Sequence, residues 1–101
     1  MTVDFSSDRG VYGISVAAEL TGVNPQNLRS YEARGLVVPA RTEGGTRRYS
    51  EDDVSRINRI ITLLATGLNL AGVAQVLRLE AETNRLHREI ARLREREANR
   101  P

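Results

Sequence analysis

Cysteine, lysine and tryptophan are absent from these 101 residues, and phenylalanine occurs once. Without cysteine the chain has no disulfide, no thiolate metal ligand and no thiol redox switch. With 40% apolar residues and so few aromatics, its own core is modest, and a partner chain would be a source of further burial. No apolar run approaches the ~18 residues of a membrane span. Met1-Thr2-Val3-Asp4 also lacks the basic start and apolar core of a leader, so a soluble, cytoplasmic protein is expected. Histidine is limited to His87, which sits among charges and reads as a solvated residue. Glu51, Asp52 and Asp53 are consecutive, so on a helix they point in different directions and suit first-turn stabilisation better than a cation site. Gly44-Gly45 is followed by no lysine and is not a phosphate loop. No enzyme activity, metal or cofactor is expected.

What the chain does have is arginine. All 15 basic residues are of this type, and the formal net charge is only +2, but the charge is unevenly spread. Between Pro25 and Tyr49 stand Arg29, Arg34, Arg41, Arg47 and Arg48 against Glu32 and Glu43. A mildly basic chain with one focused basic patch suits nucleic acid better than a membrane surface, the plainer alternative being a solvated arginine-rich face.

Residues 1–10 are polar and read as a loose, flexible arm, and Val11 to Ile14 as a short strand. Ser15 is the expected N-cap of a first helix with Val16, Ala17 and Leu20 on its apolar side and Gly22 as its stop. Asn24 caps a second helix, with Pro25 at its first position, where the missing N–H costs nothing, and Gly35 ends it. Only Val23 separates Gly22 from Asn24, so the two helices form a helix-turn-helix. Arg41-Thr42-Glu43-Gly44-Gly45-Thr46-Arg47 reads as a two-stranded wing turning at the double glycine. Ser50 caps a third helix, with Val54, Ile57, Ile61 and Leu64 as its inward stripe and Gly67 as its end. Asn69 caps a fourth, with Leu70, Val73, Val76 and Leu77 apolar. Beyond Gly72 neither glycine nor proline interrupts the chain before Pro101. Val76, Thr83 and Ile90 form one row of a heptad seam there, and Leu79, Leu86 and Leu93 the other. The fold class expected is mainly α: a winged helix-turn-helix head over residues 11–79 and a dimerisation coiled-coil helix over residues 76–98.

The start of a recognition helix meets base edges, so Asn24, Gln26, Asn27 and Arg29 are candidate DNA contacts. An amide can pair with adenine at two points and a guanidinium with guanine. Asn24 serving only as a cap and Gln26 facing only water are the alternatives. Tyr31 has two candidate roles, a hydroxyl on a phosphate or a ring packed behind the wing. Leu28 and Leu36 belong to the core. Arg41, Arg47 and Arg48 around the wing suit phosphate anchoring, because a guanidinium fork matches phosphate oxygens. Ser15, Thr42 and Tyr49 complete the candidate DNA-binding set.

Residues 14–79 resemble the MerR family, and within it the HspR heat-shock repressor branch. The resemblance is carried by Ile14-Ser15-Val16-Ala17-Ala18-Glu19-Leu20, Leu28-Arg29-Ser30-Tyr31, the wing from Arg41 to Ser50, and Asn69-Leu70-Ala71-Gly72-Val73. Ser30 stands where many members have a first of two tyrosines, as Thr or Ser does in the HspR branch. The resemblance implies double-stranded DNA with an inverted repeat as the ligand, and a homodimer joined by an antiparallel coiled coil. Members often carry a cysteine-bearing sensor region beyond the coil, so no metal or redox sensing is inferred here. Through the HspR branch it further implies a DnaK-type chaperone or another protein as co-regulator. The expected function is thus a dimeric, sequence-specific transcriptional repressor associated with the nucleoid and the stress response. The alternatives are an activator that reshapes a promoter and a coiled-coil interaction adaptor with weak DNA binding.

Overall fold

The computed structural model describes residues 6–101, so residues 1–5 of the expected arm lie outside the described residues. From Ser7 the chain is tied down, its carbonyl accepting a hydrogen bond from the Asp52 N–H at 2.9 Å. Strand β1 (Gly10–Tyr12) follows, starting one residue and ending two residues earlier than the sequence suggests, with Ile14 already helical. Then come α1 (Ile14–Thr21), α2 (Pro25–Ala33), β2 (Ala40–Arg41), β3 (Arg47–Ser50), α3 (Glu51–Ala65) and α4 (Leu70–Ala98). The chain divides into two compact units, one ending at Thr66 and the other Gly67–Pro101.

In the first unit a small antiparallel sheet has the order β1-β3-β2. Gly10 pairs with Ser50 and Tyr12 with Tyr49, with an irregularity between them; Ala40 pairs with Arg48 and Arg41 with Arg47. Gly10 is required by close approach, since a Cβ there would lie 2.7 Å from the Arg48 carbonyl oxygen. The expected cap of α1 needs correction. Gly13 is the N-cap, its carbonyl accepting from the Ala17 N–H at 3.0 Å, and Ser15 lies inside the helix. The reason is that β1 pairing ends at Tyr12, so the backbone turns helical a residue before Ser15. Gly22, at φ 73°, closes α1 with its N–H on the Ala18 carbonyl.

Helix α2 begins as expected, Asn24 Oδ1 accepting from the Asn27 N–H at 2.8 Å with Pro25 behind it. It ends in a Schellman turn. Leu36 N–H bonds the Tyr31 carbonyl and Gly35 N–H the Glu32 carbonyl, with Gly35 at φ 72°. Helix α3 opens on a reciprocal capping box between Ser50 and Asp53 (3.0 and 2.9 Å). Its inward stripe differs from the one the sequence suggests: Ile57, Ile60 and Leu63 are buried, while Val54, Ile61 and Leu64 are half-buried. A spacing of three turns the stripe slowly around the helix, and the apolar flank on both sides makes its centre ambiguous from sequence. Ala17, Val23, Leu28, Tyr31, Leu36, Val37 and Tyr49 complete the buried apolar set of this unit.

The second unit is one continuous helix, α4, about 43 Å long at 1.5 Å per residue. Asn69 caps it by accepting from the Gly72 N–H at 2.8 Å. Val73 and Leu77 are buried, and every residue from Ala81 onward is exposed. Arg85 holds Glu82 at 2.5 Å and Glu89 at 3.4 Å, pairs of the spacing that supports a solvated helix.

Candidate nucleic-acid interface

The short α1–α2 connection sets the site. Leu28 and Tyr31 point α2 inward, which leaves Gln26 and Arg29 on the opposite face and Asn27 and Glu32 on its two flanks. Gln26, Asn27 and Arg29 are exposed. Asn24 is exposed too, with its side-chain oxygen engaged in the cap. The exposed Arg29 side chain makes no hydrogen bond or ion pair among the described residues. Ser15 is exposed in the first turn of α1.

The expectation for Tyr49 as a DNA contact needs correction. Tyr49 is 0% exposed, and its hydroxyl is buried with no hydrogen-bond partner. Burial pushes its phenol above the ordinary 10.0. It lies on the central strand of the three-stranded sheet and belongs to the core. Tyr31 is 7% exposed, which favours the packing role over the phosphate contact. Both rings fill space that a chain with one Phe and no Trp has little else to fill.

The wing turn is built by Thr42. Its N–H donates to the Thr46 carbonyl at 2.9 Å and its hydroxyl accepts from the Thr46 N–H at 3.1 Å, with Gly45 at φ 84°. The three wing arginines are not equivalent. Arg41 Nη2 lies 2.5 Å from Glu32 Oε1, and Arg47 Nε donates to Glu32 Oε2. Arg41 Nη1 also donates to the Gly45 carbonyl at 2.8 Å. Arg48 points elsewhere, its nearest partner being the Arg47 carbonyl at 3.4 Å. The Arg47 guanidinium, opposed by desolvation and joined by Arg41, holds the Glu32 carboxyl below its ordinary 4.5. Glu32 is the residue that sequence reasoning missed; its one signal was a carboxylate in the middle of a basic stretch.

On α4 the proposed seam residues form a row. Leu79, Leu86, Ile90 and Leu93 are about half exposed, Thr83 is exposed and Val76 half-buried. Val76, Leu79, Glu80, Thr83 and Asn84 line a shallow groove along it. Among the described residues no group of three His, Cys, Asp or Glu could hold a metal ion. None of the helices there is long and apolar enough to cross a membrane.

Comparison with known proteins matches residues 12–80 to the family described as MerR HTH family regulatory protein. Among curated proteins, the chain is 42% identical over 91 residues to a heat shock protein HspR of Streptomyces coelicolor, covering 89% of this chain and 60% of that protein. It is 40% identical over 67 residues to the transcriptional regulator GlnR of Bacillus anthracis, covering 66% of this chain and 52% of GlnR. The chain therefore spans little more than half the length of these relatives. Among solved structures, it resembles HiNmlR, a MerR family regulator lacking the sensor domain and bound to promoter DNA. The TM-score is 0.60 at 25% identity, covering 83% of this chain and 76% of that one. It also resembles the lead(II) complex of PbrR691 from Ralstonia metallidurans CH34, with a TM-score of 0.66 at 28% identity over 87% of this chain and 76% of that one.

Proposed function

The chain belongs to the MerR family of helix-turn-helix regulatory proteins, and from that premise we propose that it is a dimeric transcriptional repressor acting on an inverted-repeat operator. The observation that carries this reading is the exposed face of α2 at Gln26 and Arg29, beside a wing whose half-buried Arg48 stands outside the Glu32 ion pairs. The recognition helices enter successive major grooves, Gln26, Asn27 and Arg29 reading base edges, while the wings lie on flanking phosphates. Residues 11–79 serve as the DNA-binding domain and residues 76–98 as the dimerisation coil.

In an antiparallel pair, Val76, Leu79 and Thr83 of one copy meet Leu93, Ile90 and Leu86 of the other, so every layer joins the two rows of the seam. The half-exposed state of these side chains in a single chain supports that reading. The likeness to a heat shock protein HspR supports control of a stress response, with a chaperone of the DnaK type or another protein as co-regulator, in the cytoplasm at the nucleoid.

The test is binding to operator and random duplexes across a salt series, the operator being selected from a random pool by the wild-type protein. Log affinity falls by about 0.9 per phosphate contact as log salt rises. Arg48→Ala weakens all DNA alike and flattens that slope by about one contact, whereas Arg29→Ala also costs about 1–3 kcal/mol of base discrimination. Binding that ignores salt and both substitutions refutes the reading.

A further inference from the structure

Arg41 and Arg47 stand directly opposite each other on the wing ladder, so their side chains share one face of the hairpin. Two like charges in that position repel, and β2 itself pairs with β3 at two positions. Glu32 resolves the conflict from outside the wing. One carboxylate oxygen takes Arg41 and the other takes Arg47, and its side chain is 19% exposed, shielded from competing water. Arg41 passes the connection on, its second nitrogen reaching the Gly45 carbonyl at the tip of the turn. An unbroken chain of contacts thus runs from the flank of the recognition helix to the end of the wing. Arg48, one residue along β3, faces the other way and is left out of it.

We propose that Glu32 is a positioning residue for DNA recognition, which locks the wing to the recognition helix as one rigid reading unit and withholds two guanidinium charges from indiscriminate phosphate binding. The proposal rests on the DNA-binding reading above. A carboxylate on a DNA-facing surface opposes phosphate, so its presence weakens general affinity. What it gives in return is a fixed spacing between the base-reading face at Gln26 and Arg29 and the phosphate-reading wing. Arg41 and Arg47 each keep further N–H groups beyond those held by Glu32, and these present to a backbone only in the orientation the carboxylate sets. Binding to correctly spaced DNA is thereby favoured over binding to any duplex.

The experiment compares the full chain with its Glu32→Gln variant, which keeps size and removes charge, on selected operator and on random duplex across salt. The expected result is random-duplex affinity raised about tenfold at low salt, with a slope steeper by up to about two contacts. Operator affinity does not rise with it, so the operator-to-random ratio falls at least about tenfold. A merely structural role predicts the opposite pattern, in which both affinities fall together with the thermal midpoint. Arg41→Gln guards against misfolding of the first variant: the operator preference falls while the random-duplex slope stays unchanged. A loss of about one contact with the preference intact makes Arg41 an ordinary phosphate ligand and overturns the proposal. If the wild type discriminates and Glu32→Gln keeps the same ratio and slope, the positioning role fails alone. If the wild type shows neither preference nor salt dependence, the DNA-binding reading fails first.

Discussion

Replacing Leu86 with aspartate places a charge at the middle of the α4 seam, in the weak layer where Leu86 of one copy meets Thr83 of the other. Leu79, Leu86, Ile90 and Leu93 keep 53, 45, 44 and 48% of their surface open. Full burial of such a side chain contributes about 1.5–3 kcal/mol, so covering the open half contributes about 0.7–1.5 kcal/mol each. Over two copies of the four residues this amounts to about 6–12 kcal/mol. Association itself costs roughly 4–15 kcal/mol, a range that overlaps this gain, so a single seam residue can decide the outcome. Leu86→Asp removes two of the eight contributions and desolvates two carboxylates, each at several kcal/mol. A loss of at least about 4 kcal/mol follows, a thousandfold weaker dimer. Sedimentation at roughly tens of micromolar should then show a dimer for the wild type and a monomer for the variant, with operator binding lost alongside. The thermal midpoint of the unit ending at Thr66 should hold. A wild type that is monomeric at that concentration, or a variant that still pairs, would refute the seam.

Tyr49→Phe removes a buried hydroxyl that has no partner, so it should stabilise the protein by about 1 kcal/mol and leave DNA affinity unchanged; a fall in affinity would return Tyr49 to the DNA surface. Gly10→Ala drives a Cβ to 2.7 Å from a backbone oxygen of β3, and chemical denaturation should show a loss of about 1–3 kcal/mol, normal stability being incompatible with the Gly10–Ser50 pairing. Glu32 has a depressed carboxyl, so its contribution is complete above its ordinary 4.5 and fades as pH falls through the lower folded value. Below about pH 4.5 the wild-type thermal midpoint should therefore drop more steeply than that of Glu32→Gln, and parallel pH profiles would contradict the two ion pairs.

Local chemistry was the legible part of this chain. Asn24, Ser50 and Asn69 cap the helices assigned to them because a short side-chain oxygen before a helical run has one dominant use. Gly22, Gly35, Gly45 and Gly67 adopt the left-handed conformations that stops and turns demand. Ser15 misled for the same reason, since a strand ending at Tyr12 preempted its cap from outside the helix. Tertiary placement was harder to read. Tyr49 follows two arginines in sequence yet faces the core, because strand alternation sends Arg48 and Tyr49 to opposite sides and the sheet order that fixes which side is inward is not local. Glu32 was visible only as a charge to subtract from the basic stretch. That it joins residues nine and fifteen positions away depends on how the wing folds back, which pairing across the hairpin decides.

At the foot of the wing, Ser50 ends β3 and caps α3, so strand and helix meet without a spacer. An α-helix turns about 100° per residue, and one residue inserted here would swing Ile57, Ile60 and Leu63 a quarter-turn or more out of the core. Insertions can therefore enter this hairpin only between Thr42 and Thr46, where the turn closes on itself and nothing downstream keeps count. The wing can be lengthened at its tip to reach a different stretch of backbone, but its root has a fixed phase. Any pull on β3 also reaches α3 without slack, so the strand and the helix behave as a single bent lever with its elbow at Ser50.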